Sequence, residues 1–180
     1  TKLRLTNSQT RYFSRCAAAA RFVFNWALAD RKATFEAGGK PNKFEQKKRF
    51  NATKDGFCSW IREYPYTLVS EEFDNVDVAY QNFFRRIKQG KTGKEAGFPK
   101  FKSKYKDKQS FVLRGSIRVK NGRVKLPVVG WVNLAESDYV PENVKINFVT
   151  LSERAGEWFI SFQVEQQIDN PEMATGKPLG

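Results

Sequence analysis

LVSEEFDNVDVAYQNFFRRIKQ, residues 68–89, carries the clearest structural pattern in the chain. Its apolar residues recur at alternating steps of four and three, the spacing that places side chains on one face of an α-helix. The members of this stripe are Val69, Phe73, Val76, Tyr80, Phe83 and Ile87. Because basic residues crowd the end of the segment and Gly90 follows it, the pattern predicts a helix that ends there and buries one stripe.

Two further helices are predicted before this one. Thr6 and Gln9 have the spacing of a capping box, which begins a helix that runs from about Asn7 to Ala37 and stops at a pair of glycines. Small and apolar residues fall on one face of this helix: Phe13, Ala17, Ala20, Phe24, Ala27 and Leu28. A second, charged helix is predicted from Phe44 to Trp60.

Beyond Gly90 the pattern changes from that of helices to that of loops and strands. Residues 91–108 are rich in lysine and glycine and predict a loop. Asn121–Gly122 is a strong signal for a type I′ turn that joins two short strands in a hairpin. Two longer strands are predicted at 146–151 and 157–165. The C-terminal residues are polar and read as a linker.

A short strand signal at Lys2–Leu5 stands apart from the other strands, and a single strand is not stable alone. The simplest arrangement adds it to the C-terminal strands. The predicted fold class is therefore α+β, a small antiparallel β-barrel into which a three-helix bundle is inserted. The predicted parts are a first strand at 1–6, helices at 7–90, a basic loop at 91–108, the remaining strands at 109–167 and a linker at 168–180.

The composition of the 180-residue chain favours a polyanionic partner. Lysine and arginine total 32 against 19 aspartates and glutamates, which gives a net charge of +13. The absence of histidine excludes His-dependent acid–base catalysis and His metal ligands. Cys16 and Cys58 form no zinc or disulfide motif and are expected to be buried thiols in a reducing compartment. No apolar run is long enough to cross a membrane, so no membrane partner is expected.

The basic segment from residue 85 to residue 108 is the main candidate site. Its charge is +8 within 24 residues, and Phe98, Phe101 and Tyr105 lie among the lysines. Lysine and arginine neutralise phosphates, and aromatic rings stack on bases, so nucleic-acid contact is expected. The alternative is a solvated loop whose phenylalanines enter the core. The candidate contacts are Arg85, Arg86, Lys88, Lys100, Lys102, Lys104, Lys106 and Lys108.

Four carboxylates early in the third predicted helix have the look of an acidic cluster: Glu71, Glu72, Asp74 and Asp77. The positive end of the helix dipole explains them without a metal, and no further ligand with metal-site spacing accompanies them. The chain also lacks the phosphate-loop, serine-hydrolase and zinc-protease motifs. No catalytic residue, metal site or cofactor is therefore predicted in this chain.

Four segments, taken in order and with their spacing, resemble one family. They are ARFVFNW at 20–26, AYQNFF at 79–84, GFPKFK at 97–102, and VKLP at 124–127 with Gly130–Trp131 after it. Together they resemble the N-terminal half of TnpB/OrfB proteins, which are transposon-encoded RNA-guided nucleases related to type V CRISPR effectors. The resemblance covers nearly the whole chain.

The resemblance implies a wedge β-barrel interrupted by a helical recognition domain and followed by a nuclease domain. The chain begins without Met in a predicted strand, and it ends about where the nuclease would begin, so a trimmed sequence is expected. Magnesium and zinc are expected only in the missing nuclease portion. The chain is then a fragment, the ordered portion of a longer chain, or part of a nuclease-dead relative acting as an RNA-guided transcriptional regulator, and its parent is expected in the prokaryotic cytoplasm or nucleoid.

The resemblance also implies guide RNA and target double-stranded DNA as partners. The basic segment corresponds to a backbone contact with guide RNA or with the RNA–DNA heteroduplex. The surface that reads the DNA motif beside the target corresponds to Phe44, Lys48, Tyr66, Ser70, Ser110 and Val112. Two alternatives remain: a free-standing helical DNA-binding regulator, and a protein-interaction domain whose charge aids solubility.

Overall fold

The computed structural model describes residues 1–141 and 144–165. Along the chain, the helices follow the first strand and precede all the other strands. The three long helices are α1 (Asn7–Glu36), α2 (Lys43–Phe57) and α3 (Tyr66–Lys88). A 3₁₀ segment at Ser59–Glu63 and a one-turn helix, α4 (Gly93–Ala96), complete the helical part. The predicted linker at 168–180 lies outside the described residues.

The helix boundaries follow local chemistry. The predicted capping box of α1 is confirmed, because the Gln9 amide donates to Thr6 Oγ1 at 3.3 Å and the Thr6 amide donates to Gln9 Oε1 at 3.0 Å. Helix α2 ends at residue 57 and not at Trp60, because Cys58 leaves helical geometry with φ −149° and ψ 45°. Helix α3 begins at Tyr66, directly after Pro65, which cannot donate a backbone hydrogen bond.

The strands are all antiparallel and form two sheets. One sheet has the order β1–β5–β4–β3 and the other has the order β2–β6–β7. Their bounds are β1 (Leu3–Arg4), β2 (Ser110–Arg114), β3 (Arg118–Lys120), β4 (Arg123–Leu126), β5 (Gly130–Leu134), β6 (Lys145–Arg154) and β7 (Glu157–Glu165). The predicted hairpin turn is confirmed: Asn121 and Gly122 both have positive φ and join β3 to β4.

The N-terminal strand joins the C-terminal strands, as the sequence predicts. Leu3 pairs with Leu134 of β5, and on the other side the Thr1 amino group donates to the Ile160 carbonyl at 3.0 Å. The barrel, however, is not confirmed. No ladder joins β2 to β3 within residues 1–141 and 144–165, and β2 instead lies against α3. The sheets are therefore open.

A separate three-helix bundle is also not confirmed, because helices and strands share one core. The ring of Phe13 on α1 contacts Phe111 of β2 at 5.6 Å and Trp158 of β7 at 5.4 Å between centroids. Farther along α1, Trp26 packs on Phe50 of α2 and on Phe73 of α3. Helix α1 thus forms the centre of the molecule.

The predicted stripe of α3 is buried only in its first part. Val69, Phe73, Val76 and Tyr80 are buried, but Phe83 is half-buried and Ile87 is 43% exposed. Helix α3 therefore extends beyond the core and presents the end of its apolar face to solvent. Within the described residues, no helix combines the length and the apolar character that a bilayer crossing requires.

Candidate nucleic-acid interface

The basic loop, residues 91–108, is attached to α1 by hydrogen bonds between the side chain of Asn25 and the backbone of Lys102. Asn25 Nδ2 donates to the Lys102 carbonyl at 2.9 Å, and the Lys102 amide donates to Asn25 Oδ1 at 2.7 Å. One turn earlier, Arg21 donates to Gln109, which lies directly after the loop. Both α1 residues belong to the ARFVFNW segment, and these contacts give them a structural role.

Lys102, one of the candidate contacts, is half-buried, and its side chain points toward the protein interior. Its Nζ lies 3.2 Å from Glu72 Oε2 and 3.9 Å from the centroid of the Phe24 ring. Glu72 is only 2% exposed, and burial raises its pKa while the Lys102 ammonium acts in the opposite direction. A carboxylate buried this deeply requires a partner, and the loop supplies one.

The other lysines of the proposed contact set remain on the outside. Lys100, Lys104, Lys106 and Lys108 are exposed, and so are Arg85 and Lys88 at the end of α3. Arg86 is half-buried, and its Nη1 donates to the Ala96 carbonyl at 3.4 Å. Tyr105 is 89% exposed, with Lys104 Nζ 5.5 Å from its ring centroid. The loop thus presents ammonium groups to solvent, together with the partly exposed rings of Phe98, Phe101 and Tyr105.

The acidic residues of α3 pair with cations of other elements, and the dipole explanation for them is wrong. The first turn of α3 contains no acidic residue, and the dipole acts mainly within that turn. Glu71 binds Arg114 of β2 at 2.8 Å, and Asp74 binds Lys43 and Lys47 of α2 at 2.9 and 3.2 Å. The remaining pairs are Glu72–Lys102 and Asp77–Arg31.

These ion pairs join the three elements of the expected motif-reading surface. The Asp74 pairs bring the start of α2, with exposed Phe44 and Lys48, to the outer side of α3. The Glu71–Arg114 pair brings in β2, whose Ser110 and Val112 alternate with buried neighbours and are half-buried themselves. Tyr66 is 61% exposed and Ser70 is half-buried on α3.

A groove of about 570 Å³ lies beside Tyr66. Its walls include Pro65 and Tyr66 of the α3 start, Arg114 of β2 and Lys125 of β4. The Tyr66 phenol and the Lys125 ammonium therefore line one open space, where the charge of Arg114 is compensated by Glu71.

A second cationic groove, of about 530 Å³, was not predicted from the sequence. It runs between α1 and the β6–β7 hairpin, and Arg11, Arg15, Arg21 and Lys104 line it together with Glu153. Arg11 and Arg15 are four residues apart on the solvent face of α1. This spacing, which places two cations side by side on a helix, is the sequence signal that could have predicted the groove. Arg15 is paired with Glu63 at 2.6 Å, so its charge is partly compensated.

Comparison with known proteins identifies the N-terminal part of the chain. Residues 1–40 match the family model HTH_OrfB_IS605, described as a helix-turn-helix domain. In this structure these residues contain β1 and the single long helix α1, and the next helix begins at Lys43.

Relatives extend the match over almost the whole chain. The chain is 31% identical over 185 aligned residues to a protein of Escherichia coli (strain K12) named "Putative RNA-guided DNA endonuclease InsQ", covering 99% of this chain and 43% of that protein. It is 26% identical to a Streptomyces pristinaespiralis protein of the same description, covering 97% and 42%, and 29% identical to Rv2885c of Mycobacterium tuberculosis (strain ATCC 25618 / H37Rv), covering 73% and 32%.

The chain spans less than half the length of these curated relatives. Within that part, the family model covers the first strand and α1, where the ARFVFNW segment lies, and the relatives cover the other three segments as well. The predicted resemblance to the N-terminal half of TnpB/OrfB proteins is therefore confirmed.

Proposed function

We propose that this chain is the nucleic-acid recognition module of an RNA-guided DNA-targeting protein, and that its basic loop contacts the RNA backbone. One observation carries this proposal: the loop is held on α1 through Asn25 and Lys102, while Lys100, Lys104 and Lys106 remain exposed. A loop that is ordered before binding loses less conformational entropy when it meets its ligand. The charge of +13 provides long-range attraction to a polyanion.

The free-standing DNA-binding alternative has less support. A helix-turn-helix protein inserts the second of two short helices into the major groove. Here the matched N-terminal residues contain one helix of 30 residues, whose Phe13, Val23 and Leu28 are buried in the core. The relatives that match almost the whole chain have names that describe RNA-guided enzymes, and this favours a module that binds RNA.

The same module is proposed to read the short DNA motif beside the target. The ion-paired surface around α3 offers Tyr66 and Ser70, with Phe44 and Lys48 on one side and Ser110 and Val112 on the other. Hydroxyl and ammonium groups can bond base edges in a groove, whereas the guide reads the rest of the target by base pairing.

The activity of the whole parent is a separate part of the proposal. The relatives' names describe DNA endonucleases, and we propose the same activity for the parent. Magnesium and zinc in its nuclease portion, and action in the prokaryotic cytoplasm or nucleoid, belong to the same proposal and rest on the family resemblance. A nuclease-dead parent that regulates transcription would use the recognition module in the same way.

The test is the RNA that copurifies with the chain when it is expressed in a bacterial host. We expect RNA of discrete size that resists washing at moderate salt, and much less of it on the Lys100/Lys104/Lys106→Ala triple variant. The matched control replaces three exposed cations of other segments, Lys40, Lys120 and Arg154, by alanine. Equal loss of RNA in both variants, or no RNA on the wild-type chain, would contradict the proposal.

A further inference from the structure

The end of α3, the end of α1 and the basic loop enclose an aromatic groove that the functions above do not use. Its volume is about 520 Å³, within the ~300–1,000 Å³ range of ligand pockets. The residues that line it are Lys32, Phe35, Glu36, Tyr80, Phe83, Phe84 and Phe98. Five of these seven are aromatic, so the groove is a surface of ring faces and edges.

The rings are fixed by contacts with one another and are still accessible. Phe98 packs edge-on against Tyr80 at 5.7 Å and against Phe83 at 5.1 Å between centroids. Phe84 lies 5.3 Å from Phe83, and Phe35 lies 5.8 Å from Tyr80. Phe35, Phe84 and Phe98 are each 44–46% exposed. These rings form a preorganised platform, not a mobile apolar tail.

The surroundings of the groove are cationic. Lys32 Nζ lies 5.4 Å from the Phe98 ring centroid and 4.6 Å from that of Phe101. Exposed Arg85 and Lys88 lie one and four residues after Phe84 on α3, and exposed Lys100 follows Phe98 by two residues. Glu36 supplies one carboxylate. An apolar peptide would leave these charges without partners, whereas a polyanion with flat apolar rings would satisfy both the rim and the platform.

We propose that the aromatic groove binds unpaired nucleotides of the RNA by stacking their bases on Phe84, Phe98 and Phe35. This inference rests on the proposed function, because it takes RNA as the partner. Bases within a duplex keep their faces covered, so only unpaired nucleotides can stack here. The adjoining loop lysines bind the phosphates of the same strand, so the groove adds recognition of single-stranded segments to a contact that otherwise depends on charge alone.

The test measures the affinity of the 180-residue chain for a short single-stranded RNA, for the same RNA fully paired, and for single-stranded DNA of the same sequence. Phe84→Ala should weaken single-stranded RNA binding about fivefold or more, the lower end of the stacking contribution of one ring. The salt dependence should stay unchanged, because no phosphate contact is lost. Phe57→Ala is the matched control: Phe57 is 47% exposed, compared with 46% for Phe84, but lies on α2.

Two additional measurements keep the test decisive if Phe84→Ala disturbs folding. Phe84→Trp retains a stacking ring and should retain the affinity. A 2-aminopurine base in the single-stranded RNA should lose fluorescence on binding to the wild-type chain, because stacking on the rings quenches it. Single-stranded RNA should bind more tightly than the duplex does.

Several results would overturn the inference. Equal effects of Phe84→Ala and Phe57→Ala would remove the groove from RNA binding, and tighter binding of DNA would reject RNA as its ligand. A change in oligomeric state, with RNA affinity unchanged, would assign the groove to a protein partner. If the wild-type chain binds no RNA, the proposed function fails as well. If substitution of the loop lysines weakens RNA binding but Phe84→Ala does not, the stacking role of the groove is rejected and the proposed function of the loop stands.

Discussion

At the residue scale, Asn25 has the most specific role in the account. Its side chain satisfies both the amide and the carbonyl of Lys102, 77 residues away. Asn25→Ala leaves these backbone groups without that partner, so we expect the free energy of unfolding to fall by about 1–3 kcal/mol. Urea denaturation measures this, with the exposed Asn51→Ala as the control, expected within ~0.5 kcal/mol of wild type. Equal effects of the two variants would contradict a clamping role.

Glu72 predicts a pH dependence of stability. Burial raises the pKa of Glu72, so the folded state holds its proton to higher pH than the unfolded chain does. The contribution of this residue to stability is therefore greatest below pH 4.5 and declines as pH rises through the raised folded pKa. Wild type should lose stability relative to Glu72→Gln over that interval, as measured by urea denaturation at a series of pH values. A gain relative to Glu72→Gln would show that attraction by Lys102 outweighs the burial.

At the scale of elements, Phe50 is the ring that attaches α2 to the core. Phe50 is 1% exposed and packs on Trp26 and Phe73, while Phe44 on the same helix is 67% exposed. Phe50→Ala should lower the free energy of unfolding by about 3–5 kcal/mol, because it removes a buried ring. Phe44→Ala should change it little. Thermal or chemical denaturation of the two variants checks this, and a small effect of Phe50→Ala would mean that α2 does not depend on that ring.

The elements themselves could be predicted from sequence because their signals are local. The capping box of Thr6 and Gln9, the stripe of α3 and the Asn121–Gly122 turn each depend on residues a few positions apart. The inward orientation of Lys102 could not be predicted, since it depends on Glu72 and Asn25, far away in sequence. In the loop sequence KFKSKYK, Lys102 is indistinguishable from Lys100 and Lys104.

At the scale of the whole molecule, the same reason explains the corrected fold. The sequence predicted that β1 joins the C-terminal strands, but whether two sheets close depends on the packing of α3 against β2, which no local pattern specifies. The same packing brings Glu71 to Arg114, so the arrangement of the sheets and that of the proposed motif-reading surface both depend on how α3 packs against β2.

The proposed motif-reading surface can be tested in the full-length parent protein bound to its guide RNA. Tyr66→Ala or Ser70→Ala should alter the preferred DNA motif beside the target, because each good base contact discriminates by about 1–3 kcal/mol. Guide RNA affinity should remain nearly unchanged. Selection from a randomised motif library measures the preference, with Tyr139→Ala as the control at another exposed tyrosine. Wild-type preference in both α3 variants would remove them from DNA reading.

The central claim is that the exposed lysines of the clamped loop neutralise RNA phosphates. The most direct measurement is the slope of log affinity against log salt for single-stranded RNA binding to wild type and to Lys100/Lys104/Lys106→Ala. Each lost phosphate contact lowers the slope by ~0.7 for a single strand, so the triple variant should have a slope smaller by up to about 2. Both proteins should unfold at the same denaturant concentration, since these side chains are exposed. Identical slopes for the two proteins would contradict the account.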